Sequence, residues 1–366
     1  MNSGPDAFVF SIHDLVKCRV QGPKPLMAPV IHEFEYHRDA NSPHNDEDLD
    51  LDAKLDLLSS SNKETGPDAL ENSGKSFSWE GKHLFAKWRA CMSEADGRPT
   101  RLYFRGNRLS RFIVSKWIVE PALRVVAEKK GAAMVHAACI SDGENAVLVA
   151  GPGGAGKTTW VLNWLAAGHP YMSDDFTVIK DENALACVTP LRLGARNLIV
   201  NKILENMPVA DKAEIVFRTA LRRALLGRAK FYFKAPIKRA VPGIETSDKA
   251  IITSAIWLKD TKSKPHELKI GVITPENIAG LMTDADRVEM HNFGQGARVP
   301  SPAQQQHTKE YPAEFLPASF WSGHKSKLAA ALKNKHCFSL DAHNLPPLTA
   351  ISSVEKLLDW ITSHHG

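Results

Sequence analysis

The fold predicted for this sequence depends on residues 145–168, NAVLVAGPGGAGKTTWVLNWLAAG. An apolar β-type run, NAVLVA, leads directly into a glycine-rich loop. The loop is followed by TTWVLNWLAAG, an apolar segment of helical length that ends in Gly168. A strand, a glycine loop and a helix in this order predict an α/β nucleotide-binding unit.

The loop satisfies the phosphate-binding pattern G-x-x-x-x-G-K-[ST]. Glycines permit positive φ and close backbone approach, so successive N–H groups can converge on phosphate oxygens. The helix N-terminus adds roughly half a positive charge. We therefore expect a nucleoside triphosphate, with ATP as the default, to be bound by Gly151, Gly153, Gly154, Ala155, Gly156, Lys157, Thr158 and Thr159.

Two adjacent aspartates, Asp174 and Asp175, follow Lys157 by 17 and 18 residues in the segment YMSDDFTVI. We expect Lys157 to bridge the β- and γ-phosphates and Thr158 to bind Mg²⁺. A strand or strand end beside the loop's own strand would bring the aspartates to the γ-phosphate. One carboxylate could then hold the metal while the other accepts the proton of an attacking hydroxyl. Adjacent strand residues point to opposite faces unless the strand bulges, so a purely structural role for one aspartate stays open.

A histidine, His136, lies in the apolar run MVHAACI, 21 residues before Lys157. A single histidine in such a run is usually a core residue with its hydrogen bonds satisfied. The residue alone therefore assigns no function to this position.

The histidine, the loop and the aspartate pair together resemble the HPr kinase/phosphorylase family and its relatives, which include kinases of modified peptides. The family pattern places a His before the P-loop strand, then G-x-x-x-x-G-K-[ST], a Gly-His pair and an Asp-Asp pair. The matching elements within residues 131–180 are His136, residues 151–158, Gly168, His169, Asp174 and Asp175. The resemblance implies an α/β fold with a mixed sheet, in a P-loop kinase core of the HPr kinase/phosphoenolpyruvate carboxykinase type.

The same resemblance implies a role for each matched residue. Asp175 would be the general base toward the acceptor hydroxyl, and Asp174 would assist it or help to hold the metal. His136 would lie near the γ-phosphate. Lys157 and Thr158 would keep the roles given above, so Thr158 and Asp174 are the expected Mg²⁺ ligands.

Two departures from the family pattern bear on the substrate. Pro152 occupies the loop position where the family usually has an acidic residue. The acidic-Ile-Arg-Gly-Leu-Gly signature of the bifunctional bacterial enzyme is missing, and LRLGARN stands in its place. We therefore expect a kinase that acts on an acceptor other than HPr.

A basic stretch follows the predicted core. No Asp or Glu occurs from Ile215 to Ile244, whereas eight basic residues lie between positions 218 and 239. The stretch is either a solvated helix face with a basic loop or a patch for an anionic substrate. Arg239 could stabilise the transferred charge as an arginine finger does, and Arg192 and Arg196 are competing candidates. Interleaved aromatic residues permit RNA binding, but without a recognised RNA-binding fold nucleic acid is not a predicted partner.

The rest of the chain indicates its organisation. Residues 1–37 form a β-containing segment in which FVFSI and VIHEFEYH are predicted strands, and residues 38–76 form an acidic flexible linker or insertion. Residues 77–366 form the kinase-like domain. The 366 residues carry a net charge of +5, and five scattered cysteines without a CxxC pair indicate reduced thiols in the cytoplasm. The sequence shows neither a signal peptide nor an apolar run that could span a membrane.

These observations predict an ATP- and Mg²⁺-dependent kinase. Its acceptor would be a hydroxyl of a protein, a peptide or a small molecule. The family resemblance implies a homo-oligomer. The alternative is a P-loop ATPase that acts as a regulatory or assembly protein and binds its partner through the basic face.

Overall fold

The computed structural model describes twelve parts of the chain: residues 7–39, 49–57, 75–83, 85–94, 99–200, 202–224, 232–259, 270–294, 297–298, 316, 318–341 and 353–363. These parts form an α/β structure with mixed sheets, which confirms the predicted fold class at this level.

The strands, numbered β1 to β18 in chain order, are Ala7–Ile12, Val16–Gln21, Leu51–Leu57, Lys75–His83, Ala86–Glu94, Thr100–Gly106, Ala133–Val135, Ala138–Ser141, Asn145–Ala150, Tyr171–Ser173, Thr177–Lys180, Asn183–Ala186, Leu191–Leu193, Phe233–Ala235, Lys249–Lys259, Ile270–Val272, Ala297–Arg298 and His336–Asp341. The α-helices of the described residues, numbered α1 to α9, are Lys24–Phe34, Glu120–Lys129, Lys157–Ala166, Ala195–Val200, Val209–Ala224, Ile237–Ala240, Pro275–Gly294, Ala318–Ala331 and Val354–Ser363.

The chain divides into two compact units. Unit 1 comprises Met1–Ala132 and Asp286–His324, and unit 2 comprises Ala133–Ala285 and Lys325–Gly366. This division differs from the predicted boundaries, because residues 77–132 group with the N-terminal strands and not with the glycine loop. Contacts between residues distant in sequence determine the grouping, and such contacts are not visible in local composition.

Unit 1 is built around a seven-stranded sheet with the order β1-β2-β3-β6-β5-β4-β17. β3 pairs in parallel with β2 and β6, whereas the other pairings in this sheet are antiparallel. The strands alternate between buried and partly exposed residues, as expected for a sheet with one face on a core. α1 packs against this sheet and buries Leu26, Met27, Val30 and Phe34.

Unit 2 contains the predicted nucleotide-binding segment. Its main sheet has the order β10-β8-β9-β15-β12-β11-β7, and β18 pairs with β15 and β16. β15 is parallel to β9 and β18, and the remaining pairs are antiparallel. β9 is buried at five consecutive positions from Ala146 to Ala150, as expected for a central strand covered on both faces.

Several predicted elements are confirmed and others are wrong. The predicted strand FVFSI corresponds to β1. The segment VIHEFEYH is helical, because its apolar positions follow the 3.6-residue period of α1. The predicted linker 38–76 contains β3, whose Asp52 is buried and paired with Arg19 at 3.0 Å. The remainder of that linker, apart from residues 38, 39, 49, 50, 75 and 76, lies outside the described residues.

In the described ranges of the chain, no helix combines the length and the apolar character that crossing a bilayer requires.

A buried ionic cluster lies in unit 1. Arg124, in α2, approaches Asp286 at 3.2 Å and Glu120 at 3.2 Å, and its side chain is 1% exposed. Asp286 also lies 3.1 Å from the Nε2 atom of His324. Burial alone lowers the pKa of the Arg124 guanidinium, but the neighbouring carboxylates of Asp286 and Glu120 outweigh burial and raise it.

We expect Arg124→Met to lower the free energy of unfolding of unit 1 by about 3–5 kcal/mol, since the buried carboxylates of Asp286 and Glu120 would lose the guanidinium that lies between them. The midpoint of urea unfolding, followed by tryptophan fluorescence, measures the change. Arg101→Met is the matched control because Arg101 is exposed on β6 of the same unit. Equal midpoints for the two variants would show that the cluster does not stabilise the fold.

Candidate active site

The glycine loop connects β9 to α3, as the sequence predicts. Gly154 and Gly156 have φ values of 92° and 104°, which favour glycine strongly, and Gly156 is the N-cap residue that precedes α3. A Cβ atom on Gly151 would lie 2.6 Å from the carbonyl oxygen of Leu258 in β15, so a side chain is excluded there. Glycine is therefore favoured at both ends of the loop, by close packing at Gly151 and by positive φ at Gly156.

The space above the loop is open. A Cβ atom built on Gly153, Gly154 or Gly156 meets no other described atom within 4 Å. No described side chain caps the N-terminus of α3, and no acidic residue lies in its first turn. The backbone N–H groups and the helix dipole therefore present a positive partial charge at this position.

Lys157 occupies the first turn of α3 and is buried. Its ammonium group donates a hydrogen bond of 2.8 Å to the carbonyl oxygen of Gly151. The side chain thus folds back along the loop and places its charge beside the glycine backbone. This position suits a cation that neutralises a phosphate held by the same loop.

The two aspartates lie in a tight turn and not within a strand. β10 ends at Ser173 and β11 begins at Thr177, so Asp174 and Asp175 occupy the connection between them. The hydroxyls of Ser173 and Thr177 are 2.7 Å apart, and Thr177 donates to the carbonyl oxygen of Ala137 at 2.9 Å. These bonds close the turn and join it to the segment that carries His136.

Asp174 contacts the start of α3. Thr158 donates a hydrogen bond from its hydroxyl to Oδ2 of Asp174 at 3.2 Å. Within the described part of the chain, the other oxygen, Oδ1, is buried and has no hydrogen-bond partner. Burial and the neighbouring carboxylate of Asp175 raise the pKa of Asp174 to about 6, although Thr158, Arg192 and Lys157 oppose the increase.

Asp175 contacts a histidine and an arginine. Its Oδ1 lies 3.4 Å from Nδ1 of His136, and its Oδ2 forms an ion pair of 2.5 Å with Arg192 of β13. Phe176 packs edge-on against the His136 ring at 5.5 Å. The three polar residues are brought together from three separate segments of unit 2.

Most of the predicted site residues therefore converge, but one prediction about the surroundings is wrong. The strand of the aspartates is not adjacent to the strand of the loop, since β8 lies between β10 and β9. The apolar run MVHAACI forms two strands, β7 and β8, with His136 in the connection. Because Asp174 and Asp175 lie in a turn, the alternation of side chains along a strand does not direct them to opposite faces.

The three candidate arginines differ in position. Arg192 contacts Asp175, as described. Arg196 is exposed on α4. Arg239 forms a two-bond ion pair with Asp211 of α5, with both distances at 2.6 Å, and no described contact joins it to the aspartate turn.

A tyrosine that sequence reasoning missed lies beside both aspartates. Tyr171 donates from its hydroxyl to the carbonyl oxygen of Thr189 at 3.3 Å. Burial raises the pKa of Tyr171 well above its ordinary value, and the charges of Asp174 and Asp175 add to this effect. The neutral hydroxyl connects β10, which leads into the aspartate turn, to the segment that precedes β13 and Arg192. Its position three residues before Asp174 is visible in the sequence, but its direction depends on the register of β10 with β8.

The residues present fit a magnesium-bound triphosphate. The loop supplies N–H groups and a lysine, and Thr158 and Oδ1 of Asp174 supply hard oxygen atoms of the kind that Mg²⁺ prefers. Among the described residues, no group of three or more His, Cys, Asp or Glu side chains could hold a metal ion. A metal at this site would therefore complete its shell with phosphate oxygens and water.

Two comparisons of the sequence with known proteins found no match. No model of a known protein family matches the sequence. No curated protein has significant similarity to it. The geometry of the site is therefore the basis for inferring the function.

We expect Asp174→Asn to stabilise the ligand-free protein by about 1–3 kcal/mol at pH 7.5. Between pH 4 and 6 the folded protein holds a proton that the unfolded chain has released, so the wild type loses stability as the pH rises through this window. The variant cannot ionise and avoids the loss, while Thr158 can still donate to its amide oxygen. Unfolding in urea at pH 4 and pH 7.5 measures the effect.

The matched control for this prediction is Asp181→Asn, in the turn between β11 and β12. Asp181 is exposed and has a φ of 55°, a conformation that asparagine also tolerates. It should leave the stability nearly unchanged at both pH values. If Asp174→Asn were less stable than the wild type at pH 7.5, the conclusion that burial raises the pKa of Asp174 would be wrong.

Proposed function

We propose that this protein is an ATP-dependent kinase that transfers the γ-phosphoryl group to a hydroxyl acceptor. The acceptor is a Ser or Thr side chain of a protein or peptide, or a small-molecule alcohol. The proposal rests on the observation that the two carboxylates of the turn have different partners. Asp174 contacts Thr158, whereas Asp175 contacts His136 and Arg192. The second carboxylate, which has partners of its own, can accept the proton of an attacking hydroxyl while the first binds the metal.

The binding roles follow from the loop. The backbone from Gly151 to Gly156 and the ammonium of Lys157 hold the phosphates, and Thr159 lies in the same first turn of α3. Thr158 and Asp174 would hold Mg²⁺, and the metal would supply positive charge to neutralise the phosphates. The raised pKa of Asp174, about 6, is lowered by any cation placed beside its buried oxygen.

The chemical step forms one bond and breaks one. The acceptor oxygen attacks the γ-phosphorus, the bond from that phosphorus to the β–γ bridging oxygen breaks, and ADP leaves. Asp175 accepts the proton of the acceptor hydroxyl. General-base assistance of this kind contributes about 10²–10⁴-fold to the rate.

His136 and Arg192 position the base. Each contacts a different oxygen of Asp175, so the carboxylate is held in one orientation. Arg192 is also a cation beside the reacting groups, where it can stabilise charge that spreads over the transferred phosphoryl. Of the three candidate arginines, Arg192 therefore has the position that suits this role.

The resemblance to HPr kinase supports the finer fold assignment, a P-loop kinase core of the HPr kinase/phosphoenolpyruvate carboxykinase type. The proposal also includes a cytoplasmic location. All five cysteines are buried free thiols, which suits a reducing compartment. The homo-oligomer implied by the resemblance stays a prediction.

We expect Asp175→Asn to bind Mg·ATP with unchanged affinity and to lose phosphoryl transfer by about 10²–10⁴-fold, because the amide cannot accept the proton. γ-labelled ATP is incubated with the protein and an extract of the source cell, and the labelled acceptor is identified and then quantified with each variant. Isothermal titration calorimetry measures the binding of Mg·ATP.

Asp181→Asn is again the control, and it should transfer phosphate at the wild-type rate. Undiminished transfer by Asp175→Asn would refute the base assignment. Release of inorganic phosphate with no labelled acceptor would favour the alternative, a regulatory ATPase.

A further inference from the structure

Helix α5 exposes a continuous apolar face. Val209, Val216 and Phe217 are 80%, 54% and 66% exposed. The further exposed apolar residues of the same face are Ala213, Ala220, Leu221 and Ala224. Their spacing of three, four and seven residues puts them on one side of the helix, where a surface helix ordinarily carries polar residues. A face of this kind marks an interaction site.

The opposite side of α5 is firmly held within unit 2. Ile215 is fully buried, and Asp211 forms its two-bond ion pair with Arg239. Arg222 donates to the hydroxyl of Tyr232 at 2.8 Å and stacks over its ring. The helix is therefore anchored by one side, and the apolar face is formed before any partner binds.

The border of the apolar face is basic. Lys212 and Arg223 are 11 residues apart, three helical turns, and so lie along the same edge of the face. Arg196, on the adjacent helix α4, is also exposed. Within the described ranges, no acidic residue pairs with Arg196 or Arg223. On the other edge Glu214 is neutralised by its ion pair with Arg218.

The charges select the kind of partner. A second copy of this chain packed antiparallel on α5 would bring the same basic edge of both helices together, with no anion between them. A partner helix with an apolar stripe and acidic flanks would match both the face and its border. Charge complementarity thus favours an acidic amphipathic segment over self-association.

The face is connected to the candidate active site through a short segment. Thr219 of α5 accepts a hydrogen bond of 3.0 Å from the backbone N–H of Ala195. Ala195 is three residues after Arg192, the partner of Asp175. We propose that the exposed face of α5 docks an acidic amphipathic helix of the phosphoryl acceptor, which makes that acceptor a protein. This inference rests on the proposed kinase function for the identity of the partner as the acceptor.

The test uses direct binding, without nucleotide, so that its result is independent of catalysis. The probe is a fluorescein-labelled helical peptide of about 20 residues with leucines at helical spacing and glutamates elsewhere. A second peptide carries lysine in place of each glutamate. We expect fluorescence anisotropy to show at least about tenfold tighter binding of the glutamate peptide to the full chain, weakened by salt.

The test variant is Val216→Ser combined with Phe217→Ser, and it should weaken binding of the glutamate peptide by at least about tenfold. The matched control combines Val288→Ser with Phe112→Ser, since these residues are 59% and 68% exposed elsewhere on the surface. Calorimetry should show that both double variants bind Mg·ATP like the wild type.

Four results would overturn the inference. Equal binding of the two peptides, or equal effects of the two double variants, would show that α5 does not select an acidic helix. Sedimentation that reveals a dimer lost in the α5 variant would assign the face to a second copy. Binding to vesicles of phosphatidylserine and phosphatidylcholine, lost in the α5 variant while the glutamate peptide does not bind, would assign it to a membrane surface. None of these results depends on phosphoryl transfer, and failure of transfer would leave the binding result intact.

Discussion

The candidate site depends on two buried carboxylates held next to each other beside the glycine loop. Placing Asp174 and Asp175 in adjacent positions with little exposure to water is unfavourable, because burial and mutual repulsion both oppose ionisation. The raised pKa of Asp174 expresses this cost. The turn persists because the Ser173–Thr177–Ala137 hydrogen bonds close it and Arg192 contacts one carboxylate. A buried carboxylate whose pKa is raised by a neighbouring carboxylate marks a candidate functional site.

The rigidity of α3 makes that arrangement possible. Trp160 and Trp164 are both buried, and the indole N–H of Trp164 donates to the carbonyl oxygen of Ser141 at 2.7 Å. His169 stacks on Trp164 at 3.9 Å just beyond the end of the helix. Thus His169, a residue of the family-like pattern, stabilises the helix end. The N-terminus of α3 is held in place by this packing, so the loop and Thr158 keep their positions relative to the turn.

The two proposals use different parts of unit 2 and different physical effects. Phosphoryl transfer depends on short-range contacts among groups with little exposure to water, where electrostatic interactions are strong. Docking on α5 depends on exposed apolar area and on charges that salt screens. The segment from Arg192 to Ala195 joins the two regions through the contact of Thr219 with Ala195.

The sequence alone determined the parts of this protein that local rules govern. The strand, the glycine loop and α3 follow from apolar periodicity and from the conformational freedom of glycine. The same pattern predicts that residues within 151–159 bind phosphate. Asp174, Asp175 and His136 became candidate site residues because of their order along the chain, which carries the family resemblance. For the same local reasons, the interpretation of VIHEFEYH as a strand failed: a short apolar pattern of this length fits either period.

The tertiary structure decided what depends on contacts between distant residues. It put the aspartates in a turn, set β8 between β10 and β9, and selected Arg192 over Arg196 and Arg239 as the partner of Asp175. It also grouped residues 77–132 with the N-terminal strands and left one face of α5 uncovered. Strand order, register and exposure are set by pairing and packing across the whole chain, and these energies cannot be assigned to any single stretch of residues.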